Sequence, residues 1–316
     1  MIVLLGRTGY IGGQFAQTLQ ERGVRFVAPL RSEVDYGQFT ILREFLEKTG
    51  PEFLVNAAGY TGKPNVDACE KNWADTLQGN TLFPVAAAQA CASLGIPYGH
   101  VSSGCIYSGA KIVTNGHTRI ERDLTKPDAQ TLLEKNRGAF QGFSETDEPN
   151  FTFRQPPCSF YSGTKALAEE ALRGVGQGYI WRLRIPFDRF DNPRNFLSKL
   201  RNYAKVYQNV NSLSHRADYV GACLDLWQKR APYGTYNVTN PGFVTSRQVV
   251  ELMQKILRPA RSYEFWNNDE EFYRVAAKTP RSNCIMDVTK LLATSVSLRP
   301  VEDALVDSLK NWVNSK

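Results

Sequence analysis

The first strand-turn-helix signal of the sequence reads Ile2-Val3-Leu4-Leu5-Gly6-Arg7-Thr8-Gly9-Tyr10-Ile11-Gly12. The apolar run 2–5 predicts a short buried strand, and three glycines with the spacing Gly-x-x-Gly-x-x-Gly lead from it into a helical pattern. Such glycines allow a tight turn, close approach of the backbone to a pyrophosphate, and close packing of helix on strand. Because the pattern stands between a strand and a helix, it predicts a dinucleotide-binding loop rather than a plain turn.

The remainder of the first half alternates short apolar runs with helical patterns, which is typical of βαβ units and a parallel sheet. We therefore expect an α/β fold, a Rossmann-like doubly wound parallel sheet with a smaller C-terminal substrate-binding lobe. The predicted strands are 2–5, 25–28, 53–56, 98–103, 179–185 and 234–238. The predicted helices are 11–21, 39–48, 66–93 with an interruption near Gly79, 159–172 and 246–257.

The pattern also suggests a domain division. We assign 1–185 to a dinucleotide-binding Rossmann domain and 186–316 mostly to the substrate-binding lobe, with 212–240 returning to the first domain. Segment 108–158 breaks the rhythm, because it carries many charges, few apolar repeats and turn-prone stretches such as Thr114-Asn115-Gly116. We expect an inserted flap or long loop there, with a short helix around 128–135, and its position after the fourth strand suggests a lid.

Composition excludes several classes of protein. With 42% hydrophobic and 22% charged residues, the 316-residue chain has an ordinary globular composition. The net charge is +7, but the basic residues are scattered, so we predict no nucleic-acid partner. The N-terminal apolar run is too short for a signal peptide, and we expect a cytoplasmic protein without a membrane span. The six cysteines and three histidines show no metal-ligand spacing, so we predict neither a metal nor a disulfide framework.

Two arginines favour a phosphorylated dinucleotide. Arg7 lies inside the glycine loop, and Arg31 follows the second predicted strand, where no acid stands at the strand end. Guanidinium groups suit the extra phosphate of NADP. We therefore predict NADPH as the cofactor, with NADH as the alternative. The competing interpretation is that both arginines are solvated surface residues.

The fourth predicted strand ends in Ser102-Ser103-Gly104-Cys105-Ile106-Tyr107, at the edge where open parallel sheets bind ligands. Farther along, Tyr161 and Lys165 are four residues apart, so they share one face of a helix. The charge of Lys165 should favour the phenolate and lower the pKa of Tyr161. Together these residues predict a centre for proton transfer.

The same spacing occurs a second time, at Tyr107 and Lys111. No helical pattern follows that copy, whereas 165–172 is rich in good helix formers. A separate helix can pack beside the sheet and direct its tyrosine toward Ser103. We therefore choose Tyr161 and Lys165 and interpret Tyr107 as a packing residue or a substrate contact.

These residues together resemble the extended short-chain dehydrogenase/reductase family over nearly the whole chain. Ser103, Tyr161 and Lys165 match its catalytic triad, and Asn56-Ala57-Ala58-Gly59 looks like its Asn-Ala-Ala turn after the third strand. Stretches 56–70, 192–196 and 280–283 are similar to the nucleotide-rhamnose synthase group, and GDP-fucose synthase is a more distant relative with the same Ser-x-Cys arrangement. The chain departs from the plant members of the group mainly in segment 108–158.

The resemblance implies a bifunctional 3,5-epimerase/4-reductase that uses NADPH to convert UDP-4-keto-6-deoxyglucose to UDP-L-rhamnose. One alternative is a simple nucleotide-sugar 4-ketoreductase, such as a dTDP-4-dehydrorhamnose reductase, in which Cys105 is inert. An alternative of another class is a non-enzymatic NADPH-sensing or scaffold protein. The expected partners are the nucleotide-diphosphate sugar, an upstream 4,6-dehydratase and a second copy of the chain.

In this chemistry a 4-keto group acidifies the hydrogens on carbons 3 and 5, and Ser103 and Tyr161 could hydrogen-bond the enolate oxygen. The resemblance implies Cys105 and Lys199 as the pair that removes and returns a proton. The competing interpretations are a small buried hydrophobe for Cys105 and an exposed helix face for Lys199.

The remaining candidates are binding residues. The expected substrate contacts are Thr61, Asn195 and Arg281, with a helix cap as the alternative for Asn195 and a surface ion pair for Arg281. The expected cofactor contacts are Gly6, Arg7, Thr8, Gly9, Tyr10, Ile11, Gly12, Arg31, Asn56, Ala57, Ala58, Tyr161 and Lys165.

Overall fold

The computed structural model describes residues 1–314, and a six-stranded parallel sheet lies at its centre. The strands of this sheet are β1 (Ile2–Leu5), β2 (Phe26–Val27), β3 (Phe53–Asn56), β4 (Tyr98–Ser103), β5 (Gly178–Leu183) and β6 (Gly234–Asn237). Their order is β6-β5-β4-β3-β1-β2, and every neighbouring pair is parallel. The chain changes direction across the sheet between β1 and β3, and ligands bind at the carboxyl edge beside such a point. The predicted Rossmann-like α/β fold is confirmed.

Helices cover both faces of the sheet. Since successive residues of β1 point to opposite sides, each face has its own apolar core. Ile2 packs into one core with Phe15, while Val3 packs into the other with Leu42. The α-helices are Tyr10–Glu21, Phe39–Thr49, Trp73–Leu77, Phe83–Ser93, Pro127–Lys135, Phe160–Leu172, Phe196–Asn202, Arg216–Gln228, Ser246–Leu257, Asp269–Val275, Thr289–Leu292 and Val301–Lys310. No helix within residues 1–314 combines the length and apolar character that a membrane span requires.

The interruption predicted near Gly79 is a π-helical turn at Gln78–Leu82, between the helices Trp73–Leu77 and Phe83–Ser93. A Cβ added to Gly79 would lie 2.9 Å from the Cβ of Tyr60. The next residue, Asn80, accepts a hydrogen bond from the Tyr60 N–H at 2.9 Å and donates one to its carbonyl at 2.8 Å. Such turns often mark functional sites. Here the turn holds the loop that follows β3.

The expectation of a long loop at 108–158 is wrong, whereas its short helix is present at Pro127–Lys135. An inserted flap that acts as a lid stays a prediction. Ala110–Thr114 is the central strand of a three-stranded antiparallel sheet, between His117–Glu121 and Phe140–Gln141. Ile112 and other apolar residues of this segment pack against Val210 and Ile285. The sequence pattern of this sheet is weak, because the strand His117–Glu121 is almost entirely exposed and shows no apolar alternation.

The rest of the chain forms a further apolar core that includes Phe187, Leu197, Met253 and Leu305. Its short strands are Pro186–Phe187, Lys205–Val206, Val210–Asn211, Ser214–His215, Val244–Thr245 and Glu264–Phe265. β6 lies in the central sheet beside β5. The division into a cofactor-binding domain, 1–185 with 212–240, and a substrate-binding lobe stays a proposal.

Candidate active site

The glycine loop packs tightly against the turn that follows β3. Gly6 has a φ of +84°, and a Cβ there would lie 2.6 Å from the Ala58 nitrogen. A Cβ on Gly12 would lie 2.0 Å from the Gly6 carbonyl oxygen. Side chains at these two positions would therefore displace backbone, which is why the glycines are required.

The surface of the loop suits a dinucleotide. Arg7, Thr8 and Gly9 are exposed at the start of the helix Tyr10–Glu21, where backbone N–H groups can bind phosphate. Asn56 accepts a hydrogen bond from the Ala58 N–H at 3.0 Å, and Ala57 donates to the Leu5 carbonyl at 3.0 Å. The Nδ2 of Asn56 is buried and has no hydrogen-bond partner among the described residues, so it is free to donate to a ligand.

Two other predicted cofactor residues differ in their surroundings. Arg31 is exposed, and its Nε lies 3.4 Å from Oδ1 of Asp35. Tyr10 packs inward with the Arg216 guanidinium 4.5 Å from its ring centre, and burial raises the pKa of its hydroxyl. Ile11, beside it, is half-buried. Arg31 can therefore reach a phosphate, whereas the side chain of Tyr10 has a packing role.

Ser103 and Cys105 lie at the carboxyl end of β4. Ser103 pairs with Leu183 of β5, and its Oγ accepts a hydrogen bond from the Cys105 N–H at 3.2 Å. This bond caps the short 3₁₀ turn Gly104–Ile106. Cys105 is only 7% exposed. The serine is thus fixed at the edge of the sheet, with the thiol directly beyond it.

Tyr161 and Lys165 approach the same edge from the helix Phe160–Leu172. Ser159 begins that helix by accepting a hydrogen bond from the Ser162 N–H at 3.1 Å. Nζ of Lys165 is buried and donates to the Val101 carbonyl at 3.4 Å. Burial lowers the pKa of Lys165 to about 8. The structure therefore brings Ser103, Tyr161 and Lys165 together.

The expectation that Lys165 lowers the pKa of Tyr161 is wrong. Burial raises the pKa of Tyr161, with a further contribution from the neighbouring Cys105, and these effects outweigh a hydrogen bond with Ser103 and the charge of Arg184. The ammonium of Lys165 is directed at the Val101 carbonyl instead. Tyr161 consequently keeps its proton at neutral pH.

The Cys105 thiol also keeps its proton. Burial raises its pKa, while hydrogen bonds with Ser103 and Ser162 and the charges of Arg184 and Lys165 act in the opposite direction. Two hydroxyls and two cations therefore act on the thiol, and they oppose the effect of burial. Whether the thiol is reactive or inert stays open at this point.

The second Tyr-x-x-x-Lys copy is structural. Tyr107 is completely buried, stacks on Phe143 with ring centres 4.7 Å apart, and donates a hydrogen bond to the Asp147 carbonyl at 2.8 Å. Nζ of Lys111 pairs with the carboxylate of Asp147 at 2.6 Å. Of the two interpretations given for Tyr107, the structure favours packing.

Three stretches that are distant in sequence contact one another: the loop after β3, the segment around Arg194 and the segment around Arg281. Arg194 donates to the Gly62 carbonyl at 3.0 Å, and Arg281 pairs with Asp67 at 2.8 Å. Lys199 belongs to the same group: its pKa is lowered by burial and by repulsion from Arg194 and Arg281. The cations that act most strongly on Cys105, by contrast, are Arg184 and Lys165. The structure thus places Lys199 in a cationic cluster with Arg194 and Arg281.

The two remaining candidates for substrate contacts, Asn195 and Thr61, differ in their exposure. Asn195 is fully buried, accepts a hydrogen bond from the Leu197 N–H at 3.0 Å, and donates to the carbonyls of Asp188 and Phe190. Its amide is therefore used within the chain, which favours the helix-cap alternative. Thr61 is exposed on the loop that follows β3.

A cavity of about 620 Å³ opens beside the cationic cluster, within the range typical of small-molecule sites. Nη1 of Arg281 is buried and has no hydrogen-bond partner among the described residues. The residues that line the cavity are Ser108, Arg122, Asp123, Phe151, Pro157, Tyr207, Asn209, Asp269, Tyr273, Ala277, Lys278, Thr279, Pro280, Arg281 and Asn283. The lining therefore combines cations, carboxylates and aromatic rings, whereas Ser103, Cys105 and Tyr161 are not among the lining residues.

Sequence reasoning missed Arg184, which follows β5 directly. It is only 5% exposed, and its Nη2 donates to Oδ1 of Asn211 at 2.6 Å and to the Ser282 carbonyl. The available signal was its position at the carboxyl end of a predicted central strand, where ligands bind in such sheets.

Comparisons with known proteins place the chain in a family. The family model described as RmlD substrate binding domain matches residues 1–314. A bifunctional dTDP-4-dehydrorhamnose 3,5-epimerase/dTDP-4-dehydrorhamnose reductase of Arabidopsis thaliana is 30% identical over 305 residues, which cover 96% of this chain and 90% of that protein.

Solved structures share the fold. The L780 UDP-rhamnose synthase of Acanthamoeba polyphaga mimivirus superposes with a TM-score of 0.81 at 20% identity and 98% coverage of both chains. A dTDP-4-dehydrorhamnose reductase of Bacillus anthracis, solved in complex with NADP, superposes with a TM-score of 0.72 at 16% identity, covering 98% of this chain and 96% of that one. The chain therefore belongs to the RmlD substrate-binding-domain family, within the extended short-chain dehydrogenases/reductases, and is an enzyme of the nucleotide-sugar reductase type.

Proposed function

We propose that the protein is a bifunctional, NADPH-dependent 3,5-epimerase/4-reductase that converts UDP-4-keto-6-deoxyglucose to UDP-L-rhamnose. The observation that carries the proposal is the buried thiol of Cys105, two residues beyond Ser103 and beside Tyr161. A simple ketoreductase requires only the serine, the tyrosine and the lysine. A thiol on which hydroxyls and cations act supports a second, proton-transferring activity.

The cofactor fits the glycine loop and the Asn56–Ala58 turn, as the close backbone contact at Gly6 and the free amide of Asn56 indicate. Arg7 and Arg31 are the exposed cations for the extra phosphate of NADPH, and NADH is the alternative. The bound cofactor would supply a hydride to carbon 4 of the sugar. Tyr161 and Lys165 would hold its ribose, with Tyr161 also facing the sugar.

Ser103 and Tyr161 would bind the 4-keto oxygen. Because the pKa of Tyr161 is raised, its hydroxyl stays protonated and can donate a hydrogen bond to the oxygen. Negative charge accumulates on this oxygen when a hydrogen leaves carbon 3 or carbon 5, and preorganised donors stabilise that enolate. In the reduction, the same hydroxyl gives its proton to the oxygen.

Lys199 and Cys105 would exchange the protons of the epimerisation. The lowered pKa of Lys199 increases the share of neutral amine, which can accept a proton from carbon. The raised pKa of Cys105 keeps a proton on sulfur, which can return to the opposite face of the enolate. The products are an ammonium and a thiolate, and exchange with solvent restores the starting state before the second carbon reacts.

The cavity beside Arg281 would hold the nucleotide diphosphate. Arg281 supplies positive charge, and Tyr207 and Tyr273 supply aromatic surface for the base. A 4-keto-6-deoxy sugar is the product of a 4,6-dehydration, so a nucleotide-sugar 4,6-dehydratase would act before this protein. The homodimer and the cytoplasmic location stay predictions.

The test is to incubate the protein with NADPH and UDP-4-keto-6-deoxyglucose and to identify the sugar product by NMR. We expect a UDP-L-rhamnose product and matching oxidation of NADPH. A product reduced at carbon 4 without epimerisation would replace the proposal with a simple 4-ketoreductase. If neither this substrate nor its dTDP counterpart oxidises NADPH, the enzymatic proposal fails.

A further inference from the structure

We propose that Arg184 is a positioning residue whose fixed positive charge stabilises the thiolate that remains when Cys105 gives up its proton. The catalytic consequence rests on the proposed function, whereas the charge relationship itself does not. No oxidation or reduction is involved: the S–H bond breaks, the proton moves to a carbon of the enolate, and the electron pair stays on sulfur.

The strand register brings the two residues to the same edge. Ser103 of β4 pairs with Leu183 of β5. Arg184 follows Leu183 directly, and Cys105 comes two residues after Ser103. Both residues therefore leave neighbouring parallel strands at the carboxyl end, where the reacting groups lie.

Hydrogen bonds fix the Arg184 side chain. Oδ1 of Asn211 accepts from Nη2 of Arg184 at 2.6 Å and from the Cys284 N–H at 3.0 Å. The Cys284 thiol in turn lies 3.4 Å from the carbonyl oxygen of Gly104, the residue before Cys105. The support of the guanidinium and the turn that carries the thiol are thus parts of one network.

Arg184 lacks a counter-ion in the part of the chain that the structure describes. Two residues earlier, Arg182 has the opposite arrangement, because its Nη2 pairs with Glu169 at 2.7 Å. The Nε of Arg184 is buried and finds no hydrogen-bond partner within residues 1–314. A buried guanidinium without a carboxylate is costly, so a neighbouring anion would be stabilised.

The other groups around Cys105 do not fill this role. Lys165 is a second cation, but its ammonium binds the Val101 carbonyl. Tyr161 keeps its proton. The other groups whose pKa values are coupled to Cys105, or that hydrogen-bond it, include the hydroxyls and thiols of Ser103, Ser162, Cys69, Cys158 and Cys284.

The test is an ultraviolet titration of the Cys105 thiolate without substrate. The thiolate absorbance is measured against pH in the wild type and in Arg184→Gln, each corrected by its own Cys105→Ser variant. We expect the ionisation midpoint in Arg184→Gln to rise by about one pH unit or more. Arg184→Lys keeps the charge and should stay near the wild type. The matched control is Arg189→Gln, which removes an exposed charge from the same segment. An unchanged midpoint in Arg184→Gln would overturn the proposal.

A second comparison covers the case in which Arg184→Gln does not fold. In an otherwise unchanged chain, Cys105→Asp places a carboxylate where the thiolate would form, and Cys105→Asn is its neutral match. At neutral pH we expect the melting temperature of Cys105→Asp to equal or exceed that of Cys105→Asn. A clearly lower melting temperature for the aspartate variant would show that Arg184 does not stabilise an anion there.

Activity measurements distinguish a failure of this proposal from a failure of the proposed function. If both proposals hold, the rate of solvent exchange at carbons 3 and 5 falls at least about tenfold in Arg184→Gln, whereas Arg184→Lys retains most of that rate. If the wild type reduces without exchange, the proposed function fails while the shifted thiolate midpoint still supports the role of Arg184. If exchange persists and the midpoint does not move, only the Arg184 proposal fails.

Discussion

Arg281 donates a hydrogen bond from Nη2 to Oδ2 of Asp67 at 2.8 Å, although 214 positions separate the two residues. The pair joins the loop after β3 to the segment that lines the cavity. Both side chains are largely buried. The carboxylate therefore orients the guanidinium, whose Nη1 remains without a hydrogen-bond partner within residues 1–314.

Replacing Arg281 should weaken substrate binding more than turnover. If Arg281 contacts the diphosphate, Arg281→Ala removes a charge-assisted hydrogen bond, and we expect KM for the nucleotide sugar to rise about tenfold or more. Steady-state kinetics of NADPH oxidation measure this effect. Arg274→Ala, which removes an exposed cation nearby, is the control and should leave KM unchanged. An unaltered KM in Arg281→Ala would remove Arg281 from the binding site.

Two adjacent glycines give a matched test of the cofactor loop. A Cβ on Gly12 would clash with the Gly6 carbonyl at 2.0 Å, whereas a Cβ on Gly13 would lie 3.6 Å from the Arg7 carbonyl, an ordinary contact. We expect Gly12→Ala to weaken NADPH binding about tenfold or more and Gly13→Ala to change it little. Fluorescence titration with NADPH measures both, and circular dichroism checks the fold. Equal affinities would contradict the assignment of the loop.

The buried charge of Lys165 should make stability depend on pH. Its pKa falls from 10.5 to about 8 on folding, so below about pH 8 the folded state bears the cost of a buried ammonium. Between about 8 and 10.5 the unfolded state binds more protons at this site, and the cost disappears as pH rises. We expect Lys165→Met to increase the free energy of unfolding at neutral pH by about 3 kcal/mol.

Urea unfolding at several pH values tests this expectation. The difference between Lys165→Met and the wild type should shrink as pH rises through that window. The exposed-site control Lys135→Met should change stability by less than about 0.5 kcal/mol. A Lys165→Met variant that is less stable than the wild type at neutral pH would contradict the assigned burial cost.

Glu169 and Glu170 provide a second matched pair. Glu169 forms a buried ion pair with Arg182 at 2.7 Å and accepts a hydrogen bond from Ser102 at 2.5 Å. Glu170 pairs with the exposed Arg154. Glu169→Gln leaves the buried guanidinium of Arg182 without a carboxylate. We expect the free energy of unfolding to fall by about 3 kcal/mol in Glu169→Gln and by less than about 1 kcal/mol in Glu170→Gln. Urea unfolding distinguishes them, and similar losses would show that the Glu169 pair is not a buried network.

The sequence predicts the sheet well because its signals are local. The apolar runs of β1 and β3 and the glycines at 6 and 12 depend on neighbours a few residues away. The small antiparallel sheet of segment 108–158 is not predicted, because the apolar partners of Ile112 lie far along the chain at Val210 and Ile285.

The same division applies to the site. The Tyr161 and Lys165 pair is visible in the spacing, but the raised pKa of Tyr161 depends on burial that no spacing shows. The role of Arg184 likewise depends on contacts that the spacing of residues does not show. Its partners are Asn211 and Ser282, so its importance becomes visible only after folding.

Solvent deuterium tests the proposed epimerase most directly. The wild-type protein is incubated in heavy water with NADPH and UDP-4-keto-6-deoxyglucose, and the sugar product is examined by NMR. We predict deuterium at carbons 3 and 5 and protium at carbon 4, because two protons exchange with solvent and the hydride comes from NADPH. Cys105→Ser should lose most of that incorporation. A reduced product that carries no deuterium at carbon 3 or carbon 5 would contradict the epimerase assignment.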